Sequence, residues 1–187
     1  MGRLARPVLI VDPIPAASVL LLRDSPLQVL MILRHERSSF VPGNWVFPGG
    51  AIDPADGAPG SLDAARNAAR RELFEETGIR CDGELVLTSR WLTPAGLPKR
   101  FDTFFFLAAA PRDVRVILQE AEASDWTWIE PKDALARGRE FRMVFPTIKN
   151  LEAIANGTSV ADLLASRRGA RVEKVEPVLV NNRPVLP

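Results

Sequence analysis

The densest chemistry in the chain lies in nine consecutive residues, Arg71-Glu72-Leu73-Phe74-Glu75-Glu76-Thr77-Gly78-Ile79. On a helix, Glu72 and Glu76 stand one turn apart on one face, and Glu75 flanks the same side. Three carboxylates near a helix C-terminus are electrostatically poor. Like charges four residues apart repel, and the helix dipole disfavours anions at that end. Arg71 can reach Glu75 across one turn, but one arginine does not neutralise three acids. An oxygen-ligated divalent cation would, and clustered carboxylates suit Mg²⁺ or Mn²⁺. The alternative is a solvated charged face, the ordinary reading of a Glu-Glu pair.

The elements around this segment have to hold it in place. Ser61 is a good N-cap and Asp63 suits the positive end of the dipole. Leu62, Ala65, Ala69 and Leu73 recur at helical spacing, and Gly78 is a natural terminator. Ahead of the helix, Ala17 to Arg23 and Leu27 to Leu33 are strand-length apolar runs split by Asp24-Ser25-Pro26, which reads as a hairpin. Trp45-Val46-Phe47 makes a short strand that stops at Pro48-Gly49-Gly50. Residues 51 to 60 hold Pro54, Gly57, Pro59 and Gly60 and read as irregular. Beyond the helix, Glu84 to Leu92, Thr103 to Ala109 and Trp126 to Ile129 read as strands. Lys132 to Arg137, Pro146 to Asn156 and Val160 to Arg167 read as helices. The last twenty residues, rich in Pro and Val, are expected to wrap the surface. Strands with interspersed helices indicate an α/β fold.

The 187 residues suit one domain over 1–187, with a core of about 16–155 and a C-terminal extension, 157–187. Lys and Arg number 24 against 23 Asp and Glu, a net charge of +1. That balance argues against nucleic-acid or membrane binding by bulk charge. The one cysteine, Cys81, allows no intramolecular disulfide and excludes a cysteine-based zinc site. The one histidine, His35, reads as a polar residue at a strand end. Arg3 and Arg6 before an apolar stretch faintly suggest a secretory signal, but Asp12, Pro13 and Pro15 interrupt it, and Arg6 breaks a myristoylation motif. A cytoplasmic location is expected.

Arg71 to Ile79 matches, at every fixed position, the second half of the Nudix box, G-x5-E-x7-R-E-U-x-E-E-x-G-U with U aliphatic. Trp45-Val46-Phe47-Pro48-Gly49-Gly50 is similar to the strand and glycine loop that open the box. The chain therefore resembles the Nudix family over residues 16 to 155. That resemblance implies an α/β/α sandwich with a mixed central sheet, and hydrolysis of the diphosphate of a nucleoside diphosphate derivative. The spacing departs from the pattern: 21 positions separate Gly50 from Arg71, seven more than the box has. The first box glutamate then falls on Asp56 counting forward or on Asp63 counting back. Asp56 is favoured as the loop carboxylate, because Asp63 is explained by the helix terminus.

Further roles follow only from the resemblance. It implies Glu72, Glu75 and Glu76 as metal ligands, with a Gly50 carbonyl beside them. Arg71 would orient a carboxylate, and Glu72 or Glu76 could serve as base. An additional acid before a Trp-containing strand falls on Glu122 in preference to Glu120. Arg34, Lys99 and Arg100 are the phosphate candidates, and Phe40, Trp45 and Phe101 could stack on a base. Ser39-Phe40-Val41-Pro42-Gly43, Asp53-Pro54-Ala55-Asp56 and Lys99-Arg100-Phe101-Asp102-Thr103 are similar to the subgroup acting on coenzyme A and acyl-coenzyme A. Pro94, sixteen residues after Gly78, points instead to ADP-ribose or another nucleoside-diphosphate sugar. A non-catalytic ligand sensor is the third reading, and retention of all three glutamates argues against it. The partner expected is a small nucleotide-type substrate, with a homodimer by analogy.

Overall fold

The computed structural model describes residues 11–38, 40–119, 121–181 and 183–187. Ser39, Glu120 and the N-terminal signal reading at Arg3 and Arg6 lie outside the described residues. The expected hairpin is present. β1 (Ile14–Arg23) runs antiparallel to β2 (Gln28–Arg34), with Leu22 opposite Val29. Beside β2 lie β3 (Trp45–Val46) and β7 (Ala123–Ile129), both antiparallel to it. β4 (Gly49–Ala51) pairs with the first half of β1. β6 (Phe101–Ala109) runs parallel to β1, and β5 (Val86–Leu92) antiparallel to β6. β8 (Lys174–Val175) closes the far edge, parallel to β5. The result is a mixed eight-stranded sheet, ordered β3-β2-β1-β6-β5-β8 with β4 and β7 branching from it.

Helices cover both faces, which is why the central strands are continuously apolar. Alternation still sorts their side chains. Val19 and Leu21 of β1 and Phe104 and Phe106 of β6 face α1 (Leu62–Thr77) and its buried Ala65, Ala68, Ala69 and Leu73. Leu20, Leu22, Phe105 and Leu107 face Ala134 of α2 (Pro131–Ala136), Leu151 and Ile154 of α3 (Phe145–Ile154), and Leu163 of α4 (Val160–Arg167). This is the expected α/β/α arrangement. The alanine row lets α1 lie close on the sheet. Ser61 Oγ accepts the Ala64 N–H at 3.0 Å, and Gly78 in the left-handed region (φ 70°) sends its N–H to the Phe74 carbonyl at 2.8 Å.

Three local expectations change. β4 was not expected because glycines have low strand propensity, and the exposed edge of β1 pairs with it regardless. Residues 51–60 contain a 3-10 turn, Pro54–Asp56, closed by hydrogen bonds between Asp53 and Asp56. The C-terminal residues do more than wrap the surface: β8 joins the main sheet, and β9 (Val178–Val180) pairs with β10 (Arg183–Val185) as a separate hairpin. Among the described residues no helix is long and apolar enough to cross a membrane.

Candidate active site

The site forms where β4 crosses the C-terminal half of α1. Gly49, at φ 156°, lies so close to β1 that a Cβ would overlap the Ala17 carbonyl and the Ser18 backbone. Ser18 Oγ donates to the Pro48 carbonyl at 2.9 Å and fixes the strand's approach. A Cβ on Gly50 would collide with the carboxylate of Glu72, so the bare backbone there is what admits that side chain. The Gly49 N–H donates to Glu76 Oε2 at 2.8 Å. The glycine pair thus meets two carboxylates of α1 at once.

Glu76 is 1% exposed, although Arg34 Nη1, the one cation paired with it among the described residues, is 3.9 Å away. Burial pushes its pKa up to about 8; the Gly49 N–H and Arg34 pull the other way, while the charges of Glu72 and Glu122 add to the rise. Burial likewise raises Glu72, against the opposing effect of Arg71. Arg71 is the hub that organises the acids. Its Nη1 donates to Glu72 at 2.7 Å and to Glu75 at 3.0 Å. Its Nε and Nη2 grip Asp56 at 3.0 and 2.8 Å, and Nη2 also donates to the Ala51 carbonyl. The guanidinium beside buried Asp56 holds that carboxyl below its ordinary range.

Asp56, favoured as the loop carboxylate, is therefore at the site, while the Asp63 side chain is exposed and pairs with Arg66. Glu122 stands just before β7, near enough for its charge to bear on both Glu72 and Glu76. The Gln119 N–H to Glu76 carbonyl bond ties its loop to α1. Arg34, at the end of β2, and Lys99 both line a cleft of about 310 Å³ that opens from Gly49 and Gly50. Phe40 and Phe101 line its wall with ring centroids 4.5 Å apart, and Lys99 Nζ lies 5.3 Å from the Phe101 ring. Thr103 and Thr147 also line it. Thr103 closes the Lys99–Thr103 segment that resembles the coenzyme A subgroup, whereas no sequence pattern singled out Thr147.

Two candidates are placed elsewhere. Trp45 stacks on Phe141 at 4.4 Å as part of the packing, away from any base. Arg100 is 8% exposed and outside the cleft lining; its guanidinium is taken up by the Thr93 and Val11 carbonyls and by Glu176. A larger depression, about 440 Å³ between α2 and α3, has no carboxylate in its lining.

The donor set fits a hard divalent cation. Glu72 and Glu76 are oxygen donors whose charge burial penalises, and a cation would remove that penalty. The buried Arg34 Nε has no hydrogen-bond partner among the described residues. Among the described residues no group of three or more acidic, histidine or cysteine side chains is arranged so that it could hold a metal ion; Arg71 pairs with Glu72 and Glu75.

Comparison with known proteins identifies the family and the fold. The NUDIX domain family matches residues 12–146. A Caenorhabditis elegans protein named as nudix hydrolase 7 is 31% identical, over 64% of this chain and 52% of its own. The human acyl-coenzyme A diphosphatase NUDT19 is 29% identical, over 79% of this chain and 40% of its own. The chain thus spans about half or less of these curated relatives. Among solved structures, a NUDIX hydrolase from Alicyclobacillus acidocaldarius shares the fold with a TM-score of 0.78 at 24% identity, covering 87% of this chain and all of that one.

Proposed function

The chain belongs to the Nudix hydrolase family, and from that premise we propose that it is a metal-dependent pyrophosphohydrolase of nucleoside diphosphate derivatives, with coenzyme A or acyl-coenzyme A as its substrate class. One observation carries the proposal: Glu72 and Glu76 converge on Gly49 and Gly50 at the end of a cleft that also holds Arg34 and Lys99. Glu72 and Glu76 would hold the cation, with Glu75 once released by Arg71, and with a Gly50 carbonyl beside them. When bound, Mg²⁺ or Mn²⁺ neutralises diphosphate charge and lowers the pKa of a coordinated water.

The protein's own groups do the rest. Arg34 and Lys99 supply positive charge for the phosphates along the cleft, and Phe40 and Phe101 supply a face for the nucleoside. Water adds across the P–O–P bond: its oxygen joins the attacked phosphorus, its proton goes to a carboxylate, and the other phosphate departs. Glu72, Glu76 and Glu122 are the acids placed to take that proton, and Arg71 sets the orientation of Glu72 by a charge-assisted bond. The coenzyme A assignment is supported by the loop segments that resemble that subgroup and by the likeness to the human acyl-coenzyme A diphosphatase. ADP-ribose is the second reading, favoured by Pro94.

The test is product analysis by mass spectrometry on coenzyme A, an acyl-coenzyme A and ADP-ribose with Mg²⁺, with and without EDTA. Metal-dependent 3′,5′-ADP and a phosphopantetheine product are expected. AMP from ADP-ribose alone would replace the substrate class, and no metal-dependent cleavage would overturn the proposal.

A further inference from the structure

We propose that the C-terminal segment Lys174–Pro177 is a positioning element for the cleft, acting through Arg100; this rests on the cleft being the substrate site. Arg100 sits between two cleft residues, Lys99 and Phe101, yet does not itself line the cleft. It is instead a buried clamp. Nη2 pairs with Glu176 Oε1 at 2.7 Å, Nε donates to the Thr93 carbonyl at 2.9 Å, and Nη1 donates to the Val11 carbonyl at 3.3 Å. The backbone around it is stapled as well: the Ile14 N–H donates to the Arg100 carbonyl at 2.9 Å, and the Phe101 N–H to Thr93 Oγ1 at 3.0 Å.

The extension reaches this clamp because β8 is held on β5. Lys174 and Val175 pair with Arg90 and Trp91, and Pro177 is buried. Arg90 in turn grips Asp102, one residue past Phe101, through bonds of 2.8 and 2.9 Å. Residues 93–100 join β5 to β6 and carry three breakers, Pro94, Gly96 and Pro98. Such a loop does not fix its own tip. Glu176 supplies the counter-charge that keeps the Arg100 guanidinium buried. Arg100 in that place holds Lys99 and Phe101 against Phe40 on the cleft wall. Arg100 and Glu176 are therefore positioning residues, without contact to the reacting atoms.

The test is Glu176→Gln in the full chain, read in two ways. Steady-state kinetics on coenzyme A with Mg²⁺ should show KM raised about tenfold with kcat within about twofold, the signature of lost substrate positioning. Lys99→Ala should add little in the Glu176→Gln background, because both act through one rim. Glu176→Asp should recover part of the loss. Amide hydrogen exchange supplies a readout independent of turnover: Glu176→Gln should speed exchange over residues 93–103 and spare α1. Exchange unchanged over 93–103, or a KM that stays at the wild-type value while only melting temperature falls, would overturn the proposal. A wild-type chain that cleaves no diphosphate would overturn the functional reading instead, and exchange would still judge the clamp.

Discussion

Glu76 joins near-complete burial to a charge that one distant arginine and one N–H only partly offset. The sign of its effect on stability follows. Its folded pKa lies above the ordinary glutamate value of 4.5, at about 8, so across that window the folded chain binds more protons than the unfolded one. The metal-free chain should lose stability as pH rises through the window, and Glu72, shifted in the same direction, adds to the loss. Asp56 works oppositely but only near and below its ordinary value of 3.8, where its pairing with Arg71 is lost on protonation. Urea midpoints in EDTA at about pH 5 and about pH 8 check this; Glu76→Gln should flatten the difference and Mg²⁺ should restore the wild type at the upper value. A wild-type midpoint that rises between them would contradict it. The acids themselves were legible in the sequence, because helical spacing alone puts Glu72 and Glu76 on one face. Arg100 was not: its position beside Lys99 suggests a phosphate contact, and only the fold shows that its charge is spent on Glu176.

At the scale of elements, the proposed site depends on a three-residue strand. β4 brings Gly50 against the Glu72 carboxylate, which is the flexible end of a side chain. Gly50→Ala should therefore cost little stability, since Glu72 can swing away, while displacing a proposed metal ligand. A kcat loss on the order of 10²-fold, with an unfolding midpoint near wild type, is expected from that displacement. Unchanged kcat would show that Glu72 does not act from this position. α1 was readable to its ends because Ser61 and Gly78 announce its caps. β4 was hidden because Gly-Gly carries a loop signal, and its strand character comes wholly from pairing with Ala16 to Ser18. β8, two residues long, is too short for any period-two pattern to show.

Over the whole molecule, the order of strands and helices made an α/β fold readable, whereas the α/β/α layering was implied by the family resemblance; physically it follows from apolar central strands that need cover on both faces. The extension divides structurally at Pro177. Lys174 to Glu176 are built into the sheet and the Arg100 clamp. Among the described residues β9 and β10 pair only with each other, and they leave Val178, Leu179, Val180, Val185 and Leu186 exposed. A two-stranded hairpin standing alone is marginal in water, so it contributes little to the main fold. A chain ending after Pro177 should keep a cooperative melt and wild-type KM, whereas one ending after Arg171 should lose the clamp and show the raised KM of Glu176→Gln. Thermal denaturation and steady-state kinetics on the two truncations check this; a first truncation that fails to fold would assign the hairpin a structural role.

As proposed, the acidic face of α1, set against Gly49 and Gly50, is where the diphosphate is hydrolysed. The most direct measurement is product formation from coenzyme A with Mg²⁺ by the wild-type chain and Glu76→Gln side by side, each confirmed folded by circular dichroism. Glutamine keeps an oxygen to accept the Gly49 N–H but removes the charge. The account predicts 3′,5′-ADP and a phosphopantetheine product from the wild type, and turnover lower by about 10²-fold or more in the variant. A folded Glu76→Gln chain that turns over at the wild-type rate would contradict it.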